Sequence, residues 1–139
     1  MKPATVTYPS INNIKEVSLL RSKRSKLLAR LAFIGLLIAA TVAFFVQVPT
    51  TGASKIPYFD KYVHVGVFFL LSFTLHQAFA LSGRVSFLLL GLYGLLIEIG
   101  QNYIPGRGSD FYDWLADAAG VIAYFSLVLL FKQRKKNAN

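Results

Sequence analysis

The amino-acid sequence predicts an all-α fold, that of a polytopic membrane protein built as a four-transmembrane-helix bundle with both termini cytoplasmic. Of its 139 residues, 55% are hydrophobic, and the mean hydropathy of +0.52 is too high for an ordinary soluble domain. The apolar residues fall into four long stretches, and the basic residues gather beside the two ends of the chain. The length leaves room for one domain.

Each apolar stretch is close to the ~20 residues that an α-helix needs to cross ~30 Å of hydrocarbon. The four stretches are residues 27–48, 61–81, 85–104 and 114–131. Proline ends the first and precedes the second, Ser-Gly-Arg separates the second from the third, and Pro-Gly-Arg-Gly precedes the fourth. The chain therefore divides into a basic, mobile cytoplasmic tail, a transmembrane domain and a second basic cytoplasmic tail, at residues 1–26, 27–132 and 133–139.

The distribution of positive charge predicts the orientation, because loops on the cytoplasmic side are enriched in Lys and Arg. Ten such residues flank the termini and the turn after the second span: Arg21, Lys23, Arg24, Lys26, Arg30, Arg84, Lys132, Arg134, Lys135 and Lys136. The opposite side has three, Lys55, Lys61 and Arg107. We therefore expect the 49–60 and 103–113 loops to face outwards. The net charge of +9 lies beside apolar segments, which favours the lipid bilayer as a partner and argues against nucleic acid.

Five of the six acidic residues lie at the expected outer ends of the spans: Asp60, Glu98, Asp110, Asp113 and Asp117. A carboxylate that faces hydrocarbon costs several kcal/mol or more, so such groups usually turn inwards and mark a functional site. At 1.5 Å per residue, three titratable side chains from three helices share a depth of roughly 5 to 9 Å. These are the candidate catalytic residues His64, Glu98 and Asp117.

Residues around these three are the candidate ligand-binding residues. They are Asp60, Lys61, Gln101, Arg107 and Asp113. Structural alternatives remain open for several of these side chains. Asp60, Asp110 and Asp113 can cap helices, and His64 can be an interhelical hydrogen-bonding histidine. Lys61 can reach towards water or pair with an acid. The first span lacks a polar stripe, so we expect it to pack at the periphery.

The net charge at the expected outer ends of the spans raises the question of a bound metal ion. Five ionised acids against Lys61 and Arg107, with His64 neutral, leave a charge of −3 in a region of low dielectric. Either some acids are protonated or a cation is bound. The chain has no cysteine and no H-E-x-x-H spacing, so we predict no cofactor and assign no metal ligands. A divalent cation held by carboxylates and His64 remains the alternative.

Four pieces of sequence occur in order between positions 60 and 120: Asp60-Lys61-x-x-His64, Glu98-x-x-Gln101, Ile104-Pro105-Gly106-Arg107 and Asp113-x-x-x-Asp117-x-x-Gly120. Together they resemble the signature of the VanZ-like family of bacterial membrane proteins. The resemblance implies a small multi-pass protein of the bacterial cytoplasmic (inner) membrane. The family's namesake is associated with low-level resistance to the glycopeptide teicoplanin. Members often carry Asn at the position of Asp117.

These observations favour a binding protein whose outward-facing polar site recognises a cell-envelope ligand, either lipid-linked or a peptidoglycan precursor. The resemblance adds a link to glycopeptide resistance. The alternative is a membrane-embedded enzyme that uses acid/base or metal-assisted chemistry on a lipid-linked, phosphate-containing substrate. A transporter or proton relay is third, because the acids stop near one face. The sequence does not indicate the oligomeric state.

Overall fold

A computed structural model describes residues 11–46, 57–105 and 110–138. These residues form four α-helices, α1 (Ile11–Phe45), α2 (Phe59–Phe79), α3 (Gly83–Gln101) and α4 (Phe111–Asn137), and contain no strand. All four helices are long and apolar enough to cross a membrane, so the all-α, four-helix prediction is confirmed. The cytoplasmic location of both termini stays a prediction.

Two of the predicted helix starts are explained by side-chain caps. Ser82 accepts a hydrogen bond from the Val85 amide at the start of α3, and Asp110 accepts one from the Tyr112 amide at the start of α4. Asp110 therefore caps α4, as its spacing indicated. Asp60 does not cap α2, contrary to expectation, because α2 begins at Phe59 and Asp60 already lies in its first turn.

The first helix begins earlier than the apolar run. It starts at Ile11, so residues 11–26 of the expected tail belong to α1, while residues 1–10 lie outside the described residues. The part of α1 that can cross a membrane is Ser22–Phe45. Hydropathy locates the span and not the helix end, because a helix can continue past the bilayer surface. The division of the chain into tails and domain stays a prediction.

Helix α2 lies at the centre of the bundle and packs most extensively on α4 and on α1, while α3 packs mainly on α4. Close approach of α2 and α4 depends on Gly120. A Cβ built there would collide with the Val65 carbonyl oxygen and lie 3.0 Å from the Phe69 amide nitrogen. Only a residue without a side chain lets the two backbones come this near, as is common between membrane helices.

The middle of the bundle is an apolar layer between two histidines of α2. Phe68 and Leu71 are fully buried there, and Val121 of α4 is 1% exposed. His64 lies on one side of this layer, and His76 lies on the other, where its Nδ1 is 2.8 Å from the Tyr124 hydroxyl. We call the end of the bundle with His64 the polar end. The outer surfaces of the helices carry many exposed Leu, Ile, Val and Phe side chains, as expected for contact with lipid.

Candidate functional site

The polar end brings together the start of α2, the end of α3 and the start of α4. His64, Glu98 and Asp117 are 3%, 4% and 0% exposed, one from each of these helices. On α4, Asp113, Asp117, Gly120 and Tyr124 follow one another at intervals of three or four residues and are all buried. The three candidate catalytic residues therefore lie in one buried cluster.

His64 and Asp117 form the innermost pair. Their Nδ1 and Oδ1 atoms are 2.8 Å apart. An ionised carboxylate can only accept, so Nδ1 donates to Asp117, and Nε2 lies on the other side of the ring. That Nε2 is 3.9 Å from Asp113 Oδ2. The ring of Phe44 stacks on the imidazole with centroids 4.4 Å apart, so the histidine is held by packing as well as by hydrogen bonding.

Lys61 joins the acids nearer the surface. Its ammonium lies 2.6 Å from Asp110 Oδ2, 2.7 Å from Asp113 Oδ1 and 3.3 Å from Asp60 Oδ2. Of the two alternatives for Lys61, pairing with an acid is the one observed. Lys61 and the amide of Tyr112 hold the pKa of Asp110 below its ordinary value, because both favour the ionised carboxylate. One ammonium thus links the starts of α2 and α4.

Glu98 closes the cluster from α3. Its Oε2 accepts a hydrogen bond from the Asp110 amide over 2.9 Å, which anchors the start of α4 to the end of α3. Glu98 Oε1 and Asp117 Oδ2 are buried and have no hydrogen-bond partner among the described residues. Such atoms are costly in a low-dielectric interior, and native proteins usually satisfy them. The cluster therefore offers acceptor oxygens to a proton, a cation or a ligand donor.

A glycine makes room for the pair of His64 and Asp117. A Cβ built on Gly94 would lie 2.5 Å from Asp117 Oδ2 and 3.2 Å from Phe68 Cζ. At Gly91, one turn away on the same helix, a built Cβ meets nothing within 4 Å. The close fit is thus local to the carboxylate.

A groove of about 430 Å³ opens beside the cluster, between α3 and α4. Its lining is mostly apolar and aromatic: Leu95, Glu98, Ile99, Asn102, Tyr103, Phe111 and Trp114. Trp114 is fixed by a 3.0 Å hydrogen bond from its indole nitrogen to the Gly91 carbonyl. Glu98 belongs both to the groove wall and to the buried cluster, so the groove leads to the titratable groups.

The remaining predicted site residues lie at the edge of the cluster or outside the described residues. Asp60 is exposed and contacts Lys61 alone among the described acids and bases. Gln101 is buried, but its amide donates to the Phe44 carbonyl over 2.8 Å and so ties α3 to α1. Arg107 lies outside the described residues.

Sequence reasoning missed the part that α1 plays. As expected, α1 is the least buried of the four helices. Its last turn nevertheless covers the site, because Phe44 is 4% exposed and stacks on His64. An apolar residue on an apolar helix carries no signal of such a contact. Trp114 was also missed as a groove residue, although it is the chain's only tryptophan and follows Asp113 directly.

A family model described as VanZ/LLP1 matches residues 4–132, nearly the whole chain, so the chain belongs to this family. The resemblance of the motifs between positions 60 and 120 is thereby confirmed. With four helices able to cross a bilayer, the chain is a multi-pass membrane protein. Searches of curated proteins and of solved structures gave no significant match.

Proposed function

We propose that this protein binds an amphiphilic cell-envelope molecule, such as a lipid-linked peptidoglycan precursor, from the outer leaflet of the bacterial cytoplasmic membrane. The observation that carries the proposal is the groove between α3 and α4, whose apolar wall includes a residue of the buried polar cluster, Glu98. A lipid chain fits the apolar wall, and the polar head reaches the cluster at one end. The outward orientation rests on the placement of Lys and Arg.

The lining supports an elongated ligand that is already dissolved in the membrane. Leu95, Ile99 and Phe111 are 44%, 48% and 65% exposed, so the groove is open towards lipid. A water-soluble ligand would have to cross the headgroups to reach it. The polar contacts available are Glu98, Asn102 and Tyr103, which suit hydroxyl and amide groups on the head of the ligand.

A second candidate function is hydrolysis of a lipid-linked phosphate. The observation that favours it is the pair of His64 and Asp117, in which a carboxylate orients an imidazole as it does for a general base. The opposite ring nitrogen, Nε2, is 3.9 Å from Asp113 Oδ2, and in this alternative it would take a proton from the attacking water. The described residues offer no Ser or Thr nucleophile hydrogen-bonded to His64, so water is the nucleophile in this alternative.

The test uses the protein in lipid nanodiscs with a polyprenyl-pyrophosphate-linked muropeptide as the probe, and binding is measured by native mass spectrometry. Ile99→Trp fills the groove, and we expect it to reduce binding at least tenfold. Leu88→Trp is the matched control, because Leu88 is on the same helix, 70% exposed and outside the groove. Unaltered binding in Ile99→Trp would refute the assignment of the groove.

The same preparation separates recognition from catalysis. Hydrolysis of the pyrophosphate bond of the probe by the wild type, into a polyprenyl phosphate and a muropeptide phosphate, abolished in His64→Gln, would establish the enzyme. Binding without cleavage would establish the recognition site. A link to glycopeptide resistance predicts that expression of the wild type, and not of Ile99→Trp, raises the teicoplanin concentration that inhibits growth of a sensitive host.

A further inference from the structure

The buried carboxylate of Glu98 indicates that the polar cluster binds a small ligand directly. Glu98 is 96% shielded from solvent, since it is 4% exposed, and its Oε1 has no hydrogen-bond partner among the described residues. Its other oxygen already accepts from the Asp110 amide. A glutamate held in this way has one oxygen fixed by the backbone and one directed to whatever occupies the cluster.

His64 and Asp113 repeat this arrangement. His64 uses Nδ1 for Asp117, and Asp113 uses Oδ1 for the Lys61 ammonium. Their other atoms, Nε2 and Oδ2, are 3.9 Å apart. Each side chain is thus positioned by one atom while the second atom faces its neighbours, which is how metal ligands are commonly oriented by surrounding groups.

The spacing fits one small cation. One ligand atom from each of His64, Glu98 and Asp113 can be chosen so that all three lie within 4.8 Å of one another. Three donors at about 2.0–2.2 Å from one ion are about 3.0–3.8 Å apart. Side-chain shifts of about 1 Å or less therefore bring the three donors into one coordination sphere.

We propose that His64, Glu98 and Asp113 bind one divalent first-row transition-metal ion, Mn²⁺ or Zn²⁺, and that Asp117 orients His64 as a ligand. One imidazole and two carboxylates match the donor preferences of these ions. Three protein ligands leave coordination positions for water or for an anionic head group. The proposal does not depend on the lipid-linked ligand, because the donor set is complete without it.

A second acidic group, Asp60, Asp110 and Asp113, has similar spacing but a different environment. The Lys61 ammonium already lies within 3.3 Å of an oxygen from each of its members. A metal ion placed there would be repelled by that ammonium, and Asp60 is exposed to solvent. Asp60 is therefore the matched control for an acidic residue near the site that does not bind the ion.

The experiment is a titration of chelator-treated protein in nanodiscs of zwitterionic lipid with Mn²⁺ alone, followed by electron paramagnetic resonance. We expect one equivalent of bound Mn²⁺ per chain, displaced by Zn²⁺. Glu98→Gln should weaken binding at least tenfold, Asp117→Asn should weaken it less because an amide oxygen can still accept from His64, and Asp60→Asn should leave it unchanged. Helical circular dichroism verifies the fold of each variant.

A readout on the wild type keeps the proposal open to refutation even if a variant does not fold. Pulsed spectroscopy should detect nitrogen coupling from the His64 ring on the bound Mn²⁺. Absence of bound Mn²⁺, absence of nitrogen coupling, or an equal loss of affinity in Asp60→Asn and Glu98→Gln would each overturn the site. Binding of the lipid-linked probe to the metal-free protein is measured separately, so failure of the metal site is distinguishable from failure of the groove.

Discussion

Replacement of Gly94 by alanine should break the contact between α3 and the buried carboxylate of α4. The new Cβ would lie 2.5 Å from Asp117 Oδ2, about 0.9 Å short of ordinary contact at 3.4 Å, and 3.2 Å from Phe68 Cζ. The carboxylate has little freedom to turn away, because its other oxygen is bound to His64 at 2.8 Å. Overpacking of this kind costs about 1–3 kcal/mol, and weakening a hydrogen bond to a charged group adds about 1.5–3 kcal/mol.

Gly91→Ala is the control for this change. It lies on the same helix, a built Cβ meets nothing within 4 Å, and the gain in helix propensity of about 1 kcal/mol is common to both variants. The assay is reversible unfolding in mixed micelles, followed by circular dichroism. We expect Gly94→Ala to be less stable than Gly91→Ala by about 2.5–6 kcal/mol, the sum of these two effects. Equal stability of the two variants would show that the carboxylate is not confined as described.

Three further predictions concern the bundle, the surface acid and the orientation. Gly120→Ala should lower thermal stability more than the control Gly66→Ala, because backbone atoms of α2 oppose its Cβ while that of Gly66 meets nothing within 4 Å; equal melting temperatures would contradict the close approach. Asp110→Asn keeps the helix cap and removes the charge, and thermal unfolding measures how much more stable the wild type is. This advantage of the wild type should be complete above the unfolded pKa of about 3.9. It should disappear as the pH falls through the folded pKa, which is lower. We expect this stability advantage to be less than about 1 kcal/mol, because the Asp110 carboxylate is 41% exposed. An advantage that persists at low pH would refute the pairing of Asp110 with Lys61. A cysteine at Ser54 should react with an impermeant thiol reagent in intact cells while one at Ser82 should not, and the reverse pattern would invert the proposed orientation.

The helices were predictable because long apolar stretches bounded by proline and glycine have few alternatives in a membrane. The ends of the helices were less predictable. The chain after Gln101 continues in short turns, with the Ile104 amide donating to the Gln101 carbonyl, so α3 ends before the predicted residue 104. A hydropathy profile does not detect such local hydrogen bonding. Lys132 likewise marks the end of the fourth apolar stretch, while α4 continues to Asn137.

The sequence predicted which residues form the candidate site, but not which of these residues pair with each other. Position along each span placed Glu98 and Asp117 at one depth with His64, and the structure brings the three together. Spacing along each helix does not indicate which acid pairs with Lys61 and which pairs with His64. That choice depends on the rotation of α4 against α2, which is fixed by tertiary packing. The groove and the stacking of Phe44 arise from the same packing.

The layer around Phe68 and Leu71 separates the two polar ends of the bundle. His64 and His76 are 12 residues apart on α2, which is about 18 Å at 1.5 Å per residue, and the buried side chains that separate them include no titratable group among the described residues. Among the described residues, Phe68, Leu71 and Val121 thus separate the polar groups at the two ends of the bundle. We therefore expect liposomes that carry this protein to show no conductance above that of the bare bilayer.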